Sequence, residues 1–225
     1  MKEFRKVLIY IDSILLPKGF KLFESEESGC IICDYRKSTN QSINSIAFLK
    51  REDKIKGFYY AINFIEMELI IIPILTKNKL FGDVKPEKID ESFWVQKDTR
   101  YTLSDDGKDI SEYEEVVNIF NLFYKQDALP FFEKWKDLNV LYEYIKDKTE
   151  REELSEILGQ FWQFKKAAIL RLCNDSSYED FMTKFVNRRE EILKMRPESI
   201  DVQRYYNASK ELKEILDNTK PIYNV

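Results

Sequence analysis

The fold is decided by residues 30–64, CIICDYRKSTNQSINSIAFLKREDKIKGFYYAINF. Three short apolar runs lie in this stretch, each rich in β-branched and aromatic residues, and polar loops separate them. The runs are Cys30 to Tyr35, Ile43 to Leu49 and Phe58 to Phe64. Short runs of this kind, interrupted by polar turns, are typical of an antiparallel meander. Because a similar run, Phe20 to Phe23, precedes them, we predict a small antiparallel sheet.

The two flanks of this stretch carry different patterns. On the N-terminal side, apolar residues recur at helical spacing and predict an amphipathic helix; they are Phe4, Val7, Leu8, Ile11 and Leu15. On the C-terminal side, Met67 to Leu75 is the most hydrophobic run of the chain, and we expect an interior strand there. Pro73 would then mark a bulge or a strand end, because proline cannot donate to a β-ladder.

A polar connection separates the predicted sheet from a helical C-terminal part. Residues 76–110 are broken by glycine and proline, and their apolar island Phe93-Trp94-Val95 predicts one short strand. A connection of this length in a compact domain is either functional or conceals a further element. From Ser111 onward the helical period dominates, and Phe161-Trp162-Gln163-Phe164 is apolar on almost every side, as in a helix at the centre of a bundle.

Three predicted helices have capping-box spacing at their starts, in which a hydroxyl and a carboxylate satisfy free backbone donors. These pairs are Ser111 with Glu114, Thr149 with Glu152, and Ser176 with Glu179. The predicted fold class is therefore α+β: an N-terminal helix packed on an antiparallel sheet, followed by an all-helical C-terminal extension. We place the domains at residues 1–146 and 147–225.

The composition excludes several classes of enzyme. The 225 residues contain no histidine, which is the usual proton-transfer group near neutral pH and the commonest metal ligand. Ser-His-Asp and Cys-His catalysis and the histidine-based metal sites are thereby excluded. The glycines are too scattered for a phosphate-binding loop. These absences favour binding over catalysis, and the sequence calls for no cofactor.

The charge distribution bears on partners and on location. The net charge is −4, and residues 111–225 carry 18 basic and 22 acidic side chains, so the acidic excess lies in the C-terminal half. Basic pairs such as Arg188-Arg189 are too isolated to form a face for nucleic acid. Neither a signal peptide nor an apolar stretch long enough to cross a bilayer is found. We therefore predict a cytoplasmic protein with no nucleic-acid and no membrane partner.

One cysteine pair has the spacing of a redox or metal motif. Cys30 and Cys33 are separated by two residues, but Ile31, Ile32 and Tyr35 favour a strand. In a strand, such cysteines point to opposite faces and are about 10 Å apart. Zinc would require two more ligands, so we predict two strand cysteines and no metal site. A redox or metal role stays the alternative.

Carboxylates provide the remaining catalytic alternative. Glu66 and Glu68 would share one face of the predicted strand, and Asp105 and Asp106 could join them from the long connection. Paired carboxylates bind divalent cations or divide acid and base roles between them. A carboxylate-dependent hydrolase or metal-binding enzyme would require at least three of these four groups to converge.

Aromatic and arginine residues provide candidates for partner binding. Tyr59, Trp94, Arg100 and Tyr101 belong to the types that dominate interface hot spots. Trp94 lies in the long connection, where a partner could reach it. A tryptophan on a short strand also commonly closes one end of a core, and that alternative stays open.

Several short motifs together resemble a bacterial family, the domain of unknown function 4304. They are Leu15-Leu-Pro-Lys-Gly-Phe20, Tyr35-Arg-Lys-Ser38 leading into Ile43 to Phe48, the Phe93-Trp94 island, and Ala128-Leu-Pro-Phe-Phe132 followed by Asp137-Leu138. The resemblance covers about residues 3–146. It implies a helix, an antiparallel sheet and further helices, and it assigns no catalytic residue. Similar bacterial domains occur among immunity proteins of toxin systems.

The function expected from these observations is protein binding without catalysis. An immunity-like or antitoxin-like partner would cover the basic surface of another protein, such as a toxin. The lack of a catalytic set, the acidic C-terminal half and the aromatic-rich connection all favour this interpretation.

Overall fold

A computed structural model of the chain describes residues 2–27, 29–81 and 107–224. The predicted N-terminal helix and the predicted sheet are both present in it. Helix α1 spans Lys2–Leu15 and ends in a 3₁₀ turn at Leu16–Lys18. Five strands follow within the described residues: β1 (Lys21–Glu27), β2 (Cys30–Ser38), β3 (Ser42–Arg51), β4 (Lys54–Phe64) and β5 (Lys108–Asp109).

Helices make up most of the remaining described chain. The second, α2, spans Ile65–Lys77 and directly follows β4. A π-helical turn at Tyr124–Ala128 joins α3 to α4. The helices after the sheet are α3 (Tyr113–Phe123), α4 (Leu129–Lys134), α5 (Leu138–Ile145), α6 (Arg151–Leu158), α7 (Trp162–Leu172), α8 (Tyr178–Met195) and α9 (Ile200–Asp217). The predicted α+β class is confirmed.

The chain divides into two compact units, and neither unit is one continuous stretch. Of the described residues, the sheet unit contains 2–62 and 107–136, and the helical unit contains 63–81 and 137–224. The sequence places a single boundary after residue 146 because apolar periodicity gives no sign that a later segment returns to an earlier unit. A discontinuous division of this kind depends on long-range contacts.

The core of the sheet unit lies on one face of the sheet. The strands run in the order β1-β2-β3-β4-β5, and the antiparallel register pairs Tyr35 with Ile46 and Cys33 with Phe48. Side chains alternate along a strand, so these four residues share a face, and all of them are fully buried. The Phe48 ring contacts Phe58 of β4 at a centroid distance of 5.8 Å.

The sheet core also holds helices in place. The Phe58 ring lies 5.4 Å from that of Phe120 in α3, which brings the helix onto the buried face of the sheet. The Tyr35 hydroxyl donates to an Asp12 carboxylate oxygen in α1 at 2.8 Å. Burial raises the pKa of Tyr35, and the hydrogen bond to Asp12 raises it further.

The prediction of an interior strand at Met67 to Leu75 is wrong, because this run forms helix α2. A short apolar run is compatible with either a buried strand or a buried helix. The buried positions of α2 recur at helical spacing; they are Met67, Glu68, Ile71, Ile72, Ile74 and Leu75. Glu66 and Glu68 lie in its first turn, where carboxylates favour the positive end of the helix dipole. Pro73 lies inside the helix rather than at a strand bulge.

Helix α7 is central in the helical unit, as its apolar sequence predicts. It packs against α2, α5, α6, α8 and α9. Every residue from Phe164 to Leu170 is buried, including Lys165 and Lys166. The Phe164 ring meets the rings of Phe161, Phe185 and Tyr205 at centroid distances of 6.1, 5.2 and 5.4 Å.

The three predicted capping boxes are wrong, although each helix begins within two residues of its expected start. The capping positions are occupied by Glu112, Glu150 and Ser177, and none of these side chains makes a capping hydrogen bond. Side-chain caps occur instead at Asp137, which accepts from the Val140 amide, and at Ser199, which accepts from the Val202 amide. Ser177 donates its amide to Asp175 at 2.6 Å. Asp175 thus forms the turn before α8.

The expected strand at Phe93-Trp94-Val95 lies outside the described residues. Across the ranges that the structure describes, no helix is both long and apolar enough to cross a bilayer.

Candidate binding surface

The carboxylates predicted for catalysis are not brought together by α2. Glu66 and Glu68 are two residues apart on a helix, so their directions differ by about 200°, whereas the predicted strand would place them on one face. Glu68 is buried, and Glu66 is partly exposed. Asp105 and Asp106 lie outside the described residues. Within the described ranges, no three histidine, cysteine or acidic side chains are placed to hold a metal ion.

The two cysteines of the CxxC motif lie on β2, as predicted. Both have free thiols, and Cys33 is buried whereas Cys30 is partly exposed. Burial, with a further contribution from the Glu24 and Asp12 charges, raises the pKa of the Cys33 thiol to about 12. Since the thiolate is the reactive form and the usual metal ligand, this environment opposes both redox and metal chemistry at neutral pH.

Of the residues predicted to bind a partner, only Tyr59 falls in the described chain. It lies on β4 and is partly exposed. A Cβ atom at Gly57 would be 3.0 Å from the Tyr59 hydroxyl oxygen, so the phenol lies across the glycine. The Tyr59 side chain therefore occupies the space on β4 that a side chain at position 57 would take. Trp94, Arg100 and Tyr101 lie outside the described residues.

An acidic surface surrounds the connection between α5 and α6. We define the acidic face as Glu143, Tyr144, Asp147, Glu150, Glu152 and Glu156, all of which are exposed. Glu143 pairs with Lys146 at 2.9 Å. The other four carboxylates have no ion pair with any described residue, so their negative charge faces solvent. Tyr144 is 40% exposed, and the Lys148 ammonium lies 4.8 Å from the centroid of its ring.

Two buried lysines of α7 hold the helices that carry the acidic face. The Lys166 ammonium donates to the Ile145 carbonyl at the end of α5 (3.4 Å) and to the Lys148 carbonyl in the connection (2.5 Å). The Lys165 ammonium donates to the Leu158 carbonyl at the end of α6 at 2.8 Å. Cations are favourable at helix C-termini because the final carbonyls lack intrahelical donors.

Burial of these lysines has an electrostatic cost. Lys165 and Lys166 are only 6% and 5% exposed. Burial lowers the pKa of Lys166, and the Asp175 and Asp147 charges oppose that change. The carbonyl contacts offset the loss of water around the ammonium, and they fix the α5–α6 connection on the central helix.

A groove of about 650 Å³ lies elsewhere on the helical unit. One face of α9 lines it, together with Lys77 of α2 and Val186 of α8; the α9 residues are Asn207, Lys210, Glu211, Lys213, Glu214, Asp217 and Asn218. Lys77 pairs with Glu211 at 2.8 Å, and Lys213 pairs with Asp217 at 3.0 Å. Since most of its charges are paired inside the groove, it offers less to a charged partner than the acidic face does.

Comparisons with protein-family models, with curated proteins and with solved structures find no match to this chain. The resemblance to the domain of unknown function 4304 stays an expectation drawn from short motifs.

The sequence did not indicate how the acidic face is held. Lys165-Lys166 looks like a solvated pair in a chain that is 34% charged, and buried lysines are rare. The available signal was their position between Phe164 and Ala167 in an otherwise apolar helix. The acidic residues of the face were visible only as part of the C-terminal excess.

Replacing Lys166 with methionine is expected to lower the free energy of unfolding by about 1–2 kcal/mol. Methionine fills similar space but removes the ammonium that donates to the Lys148 and Ile145 carbonyls. The Ile145 carbonyl keeps the Lys148 amide as a donor at 3.1 Å, and relief from burying a charge offsets a further part of the loss. Urea denaturation followed by circular dichroism measures the change. Lys184→Met, at an exposed surface lysine, is the control and should cost less than about 0.5 kcal/mol. Equal losses in the two variants would contradict the anchoring role.

Proposed function

We propose that this chain is a non-enzymatic protein-binding module whose acidic face engages a basic protein, as an immunity protein or antitoxin covers a toxin. The observation that carries the proposal is an exposed tyrosine, Tyr144, on a segment where the exposed carboxylates of Asp147, Glu150, Glu152 and Glu156 form no ion pair with a described residue. The Lys148 ammonium lies 4.8 Å from the centroid of the Tyr144 ring. Tyrosine supplies apolar contact area together with a hydroxyl, and it is enriched among interface hot spots. The surrounding charges would attract and orient a basic surface.

The anchoring of the face supports the same proposal. Interface residues on rigid elements lose less conformational entropy on binding than residues on mobile loops. Lys166 fixes the connection that carries Asp147 and Glu150, and Lys165 fixes the end of α6. The face is therefore organised before a partner arrives.

Affinity purification from bacterial lysate, followed by binding assays with the purified partner, tests the proposal. The captured protein should be basic, and this chain should relieve growth inhibition when that protein is expressed in a bacterial host. Tyr144→Ala should weaken binding about tenfold. The double variant Glu152→Gln/Glu156→Gln should weaken binding more at low salt than at high salt, because salt screens the attraction between exposed charges.

A matched control separates the acidic face from net charge alone. Glu114→Gln/Glu133→Gln removes the same charge from exposed positions of the sheet unit and should leave the dissociation constant unchanged within about twofold. Capture of no basic protein, or equal effects of the two double variants, would refute the proposal.

A further inference from the structure

Strand β1 forms an edge of the sheet, and its outer side is unpaired in the described chain. It lies first in the strand order, and within the described ranges it pairs with β2 alone. The register runs without interruption from Lys21, opposite Arg36, to Glu27, opposite Cys30. In an antiparallel ladder every second residue points its N–H and C=O groups away from the neighbouring strand. The outer side of β1 therefore presents backbone donors and acceptors that can pair with a further strand.

Three features that commonly protect an edge strand are missing from β1. Edges are often blocked by a proline, by a bulge or by a very short strand. β1 has seven residues, none of them is proline, and its continuous register leaves no bulge. Charged side chains also restrict pairing at an edge, so the charges of β1 decide which strand can be added.

Carboxylates line the side of this edge that carries the core of the sheet unit. Glu24 and Glu26 are exposed and point to the same side, because they are two residues apart on a strand. Glu24 lies opposite the buried Cys33, which identifies that side. Asp12 of α1 lies over it too, since Asp12 accepts a hydrogen bond from Tyr35 of β2 at 2.8 Å. None of these three carboxylates forms an ion pair with a described residue.

An aromatic side chain lies on the other side of β1. Phe23 is 49% exposed, and the guanidinium carbon of Arg36 on β2 is 5.1 Å from its ring centroid. Residues directly opposite each other in an antiparallel pair interact through their side chains. A strand that matches β1 therefore has basic residues opposite Glu24 and Glu26 and an apolar residue opposite Phe23.

A second copy of β1 does not match this pattern. Antiparallel pairing of two copies centred on Ser25 would place Glu24 opposite Glu26, and pairing centred on Glu24 would place that residue opposite itself. Like charges directly opposite each other destabilise a pair of strands. The same carboxylates that oppose self-association therefore favour a basic strand.

We propose that the outer edge of β1 binds an extended basic segment of another protein, which joins the sheet as an additional strand. Backbone hydrogen bonds supply affinity in this mode of recognition, and alternate side chains supply specificity. The preferred segment has lysine or arginine at two alternate positions, followed by an apolar residue. The site belongs to the sheet unit and does not depend on the acidic face.

A synthetic peptide tests the site on the full chain. The probe is acetyl-Thr-Lys-Thr-Lys-Val-Thr-amide, and ¹H–¹⁵N correlation spectra recorded during its titration locate the residues that bind it. We expect a dissociation constant of about 0.1–1 mM for a short ladder with two charge pairs. The shift changes should centre on β1, and alternate β1 amides should exchange with deuterium more slowly in the complex.

A modified peptide separates strand addition from simple attraction of charge. N-methylation of the three Lys-Thr-Lys amides keeps both ammonium groups but removes the backbone donors of that segment. Because at least one of these donors would point at β1 in either ladder register, the modified peptide should bind at least about tenfold more weakly.

Paired variants of the chain test the carboxylates. Glu24→Gln/Glu26→Gln should weaken binding of the probe about fivefold, the effect of losing two cross-strand charge pairs. Glu114→Gln/Glu133→Gln removes the same charge from exposed helical positions of the sheet unit and should leave the dissociation constant within about twofold. Circular dichroism of each variant verifies that the fold is intact.

The same measurements can overturn the proposal. It fails if no binding occurs at about 10 mM peptide, tenfold above the weakest expected constant. It also fails if the N-methylated peptide binds as well as the probe, or if the two double variants have equal effects. Shift changes at the acidic face instead of β1 would contradict it, as would a peptide-free dimer in sedimentation that forms through β1.

Discussion

Replacing Phe164 with alanine is expected to lower the free energy of unfolding by about 3–5 kcal/mol, the usual cost of removing a buried phenylalanine ring. Phe164 is fully buried in the central helix of the helical unit. Its ring contacts the Phe185 and Tyr205 rings at 5.2 and 5.4 Å. Removing it opens a cavity among side chains from three helices, and rigid helices can close such a cavity only in part.

A strained residue also contacts the Phe164 ring. Phe161, which precedes α7, has a φ of 59°, a left-handed backbone conformation that residues with a Cβ atom rarely adopt. Its ring lies 6.1 Å from that of Phe164. Strain of this kind persists only where packing holds it, so removing Phe164 also weakens what keeps Phe161 in place.

Urea denaturation monitored by circular dichroism measures the Phe164→Ala effect. The control is Phe181→Ala on α8, where the ring is only partly buried and contacts Phe185 at 6.5 Å. It should cost less than half as much, or about 1–2 kcal/mol, because less apolar area leaves water on folding. Similar losses in the two variants would show that α7 does not form the centre of the unit.

The sheet was predictable because its signal is local. Alternating runs such as Ile43 to Leu49 and polar turns between them define strands without knowledge of their partners, and β2 to β4 appear where the sequence places them. Helix α2 was not predictable in this way. Its run Met67 to Leu75 is apolar at nearly every position, so neither a period of two nor one of 3.6 stands out.

The positions of the helix caps and of the buried charges could not be predicted from residue spacing along the sequence. Thr149 and Glu152 have the correct separation for a capping box, but α6 starts after Glu150, and no side-chain cap forms there. Lys166 is buried because carbonyls from α5 and the following connection meet it. A pattern along one helix cannot reveal acceptors supplied by another.

The separation of Glu66 from Glu68 and the stacking of Arg189 likewise could not be predicted from the sequence pattern. Glu66 and Glu68 were predicted to converge only because a strand was expected, and the helix separates them. Arg188-Arg189 was too short a basic pair to indicate a nucleic-acid surface. The aromatic stacking of Arg189 on Tyr205 joins residues 16 positions apart in sequence, which becomes visible only when α8 and α9 are in place.

Replacing Gly107 with alanine is expected to lower the free energy of unfolding by about 3 kcal/mol. Gly107 has a φ of +75°, which costs a residue with a Cβ about 1–2 kcal/mol. An added Cβ would also lie 2.6 Å from the Ile55 carbonyl oxygen, and relieving such a contact by backbone movement costs about another 1–3 kcal/mol. The clash would separate β5 from β4, since Ile55 pairs with the adjacent Lys108.

Gly29→Ala is a closely matched control for this variant. Gly29 has a φ of +76°, but nothing lies within 4 Å of the position its Cβ would take. The two substitutions therefore share the backbone cost and differ in the contact with Ile55. Gly29→Ala should cost only about 1–2 kcal/mol, and thermal or urea denaturation of both variants measures the difference. If the two losses were equal, close packing at Gly107 would contribute nothing, and β5 would be held to β4 by its hydrogen bonds alone.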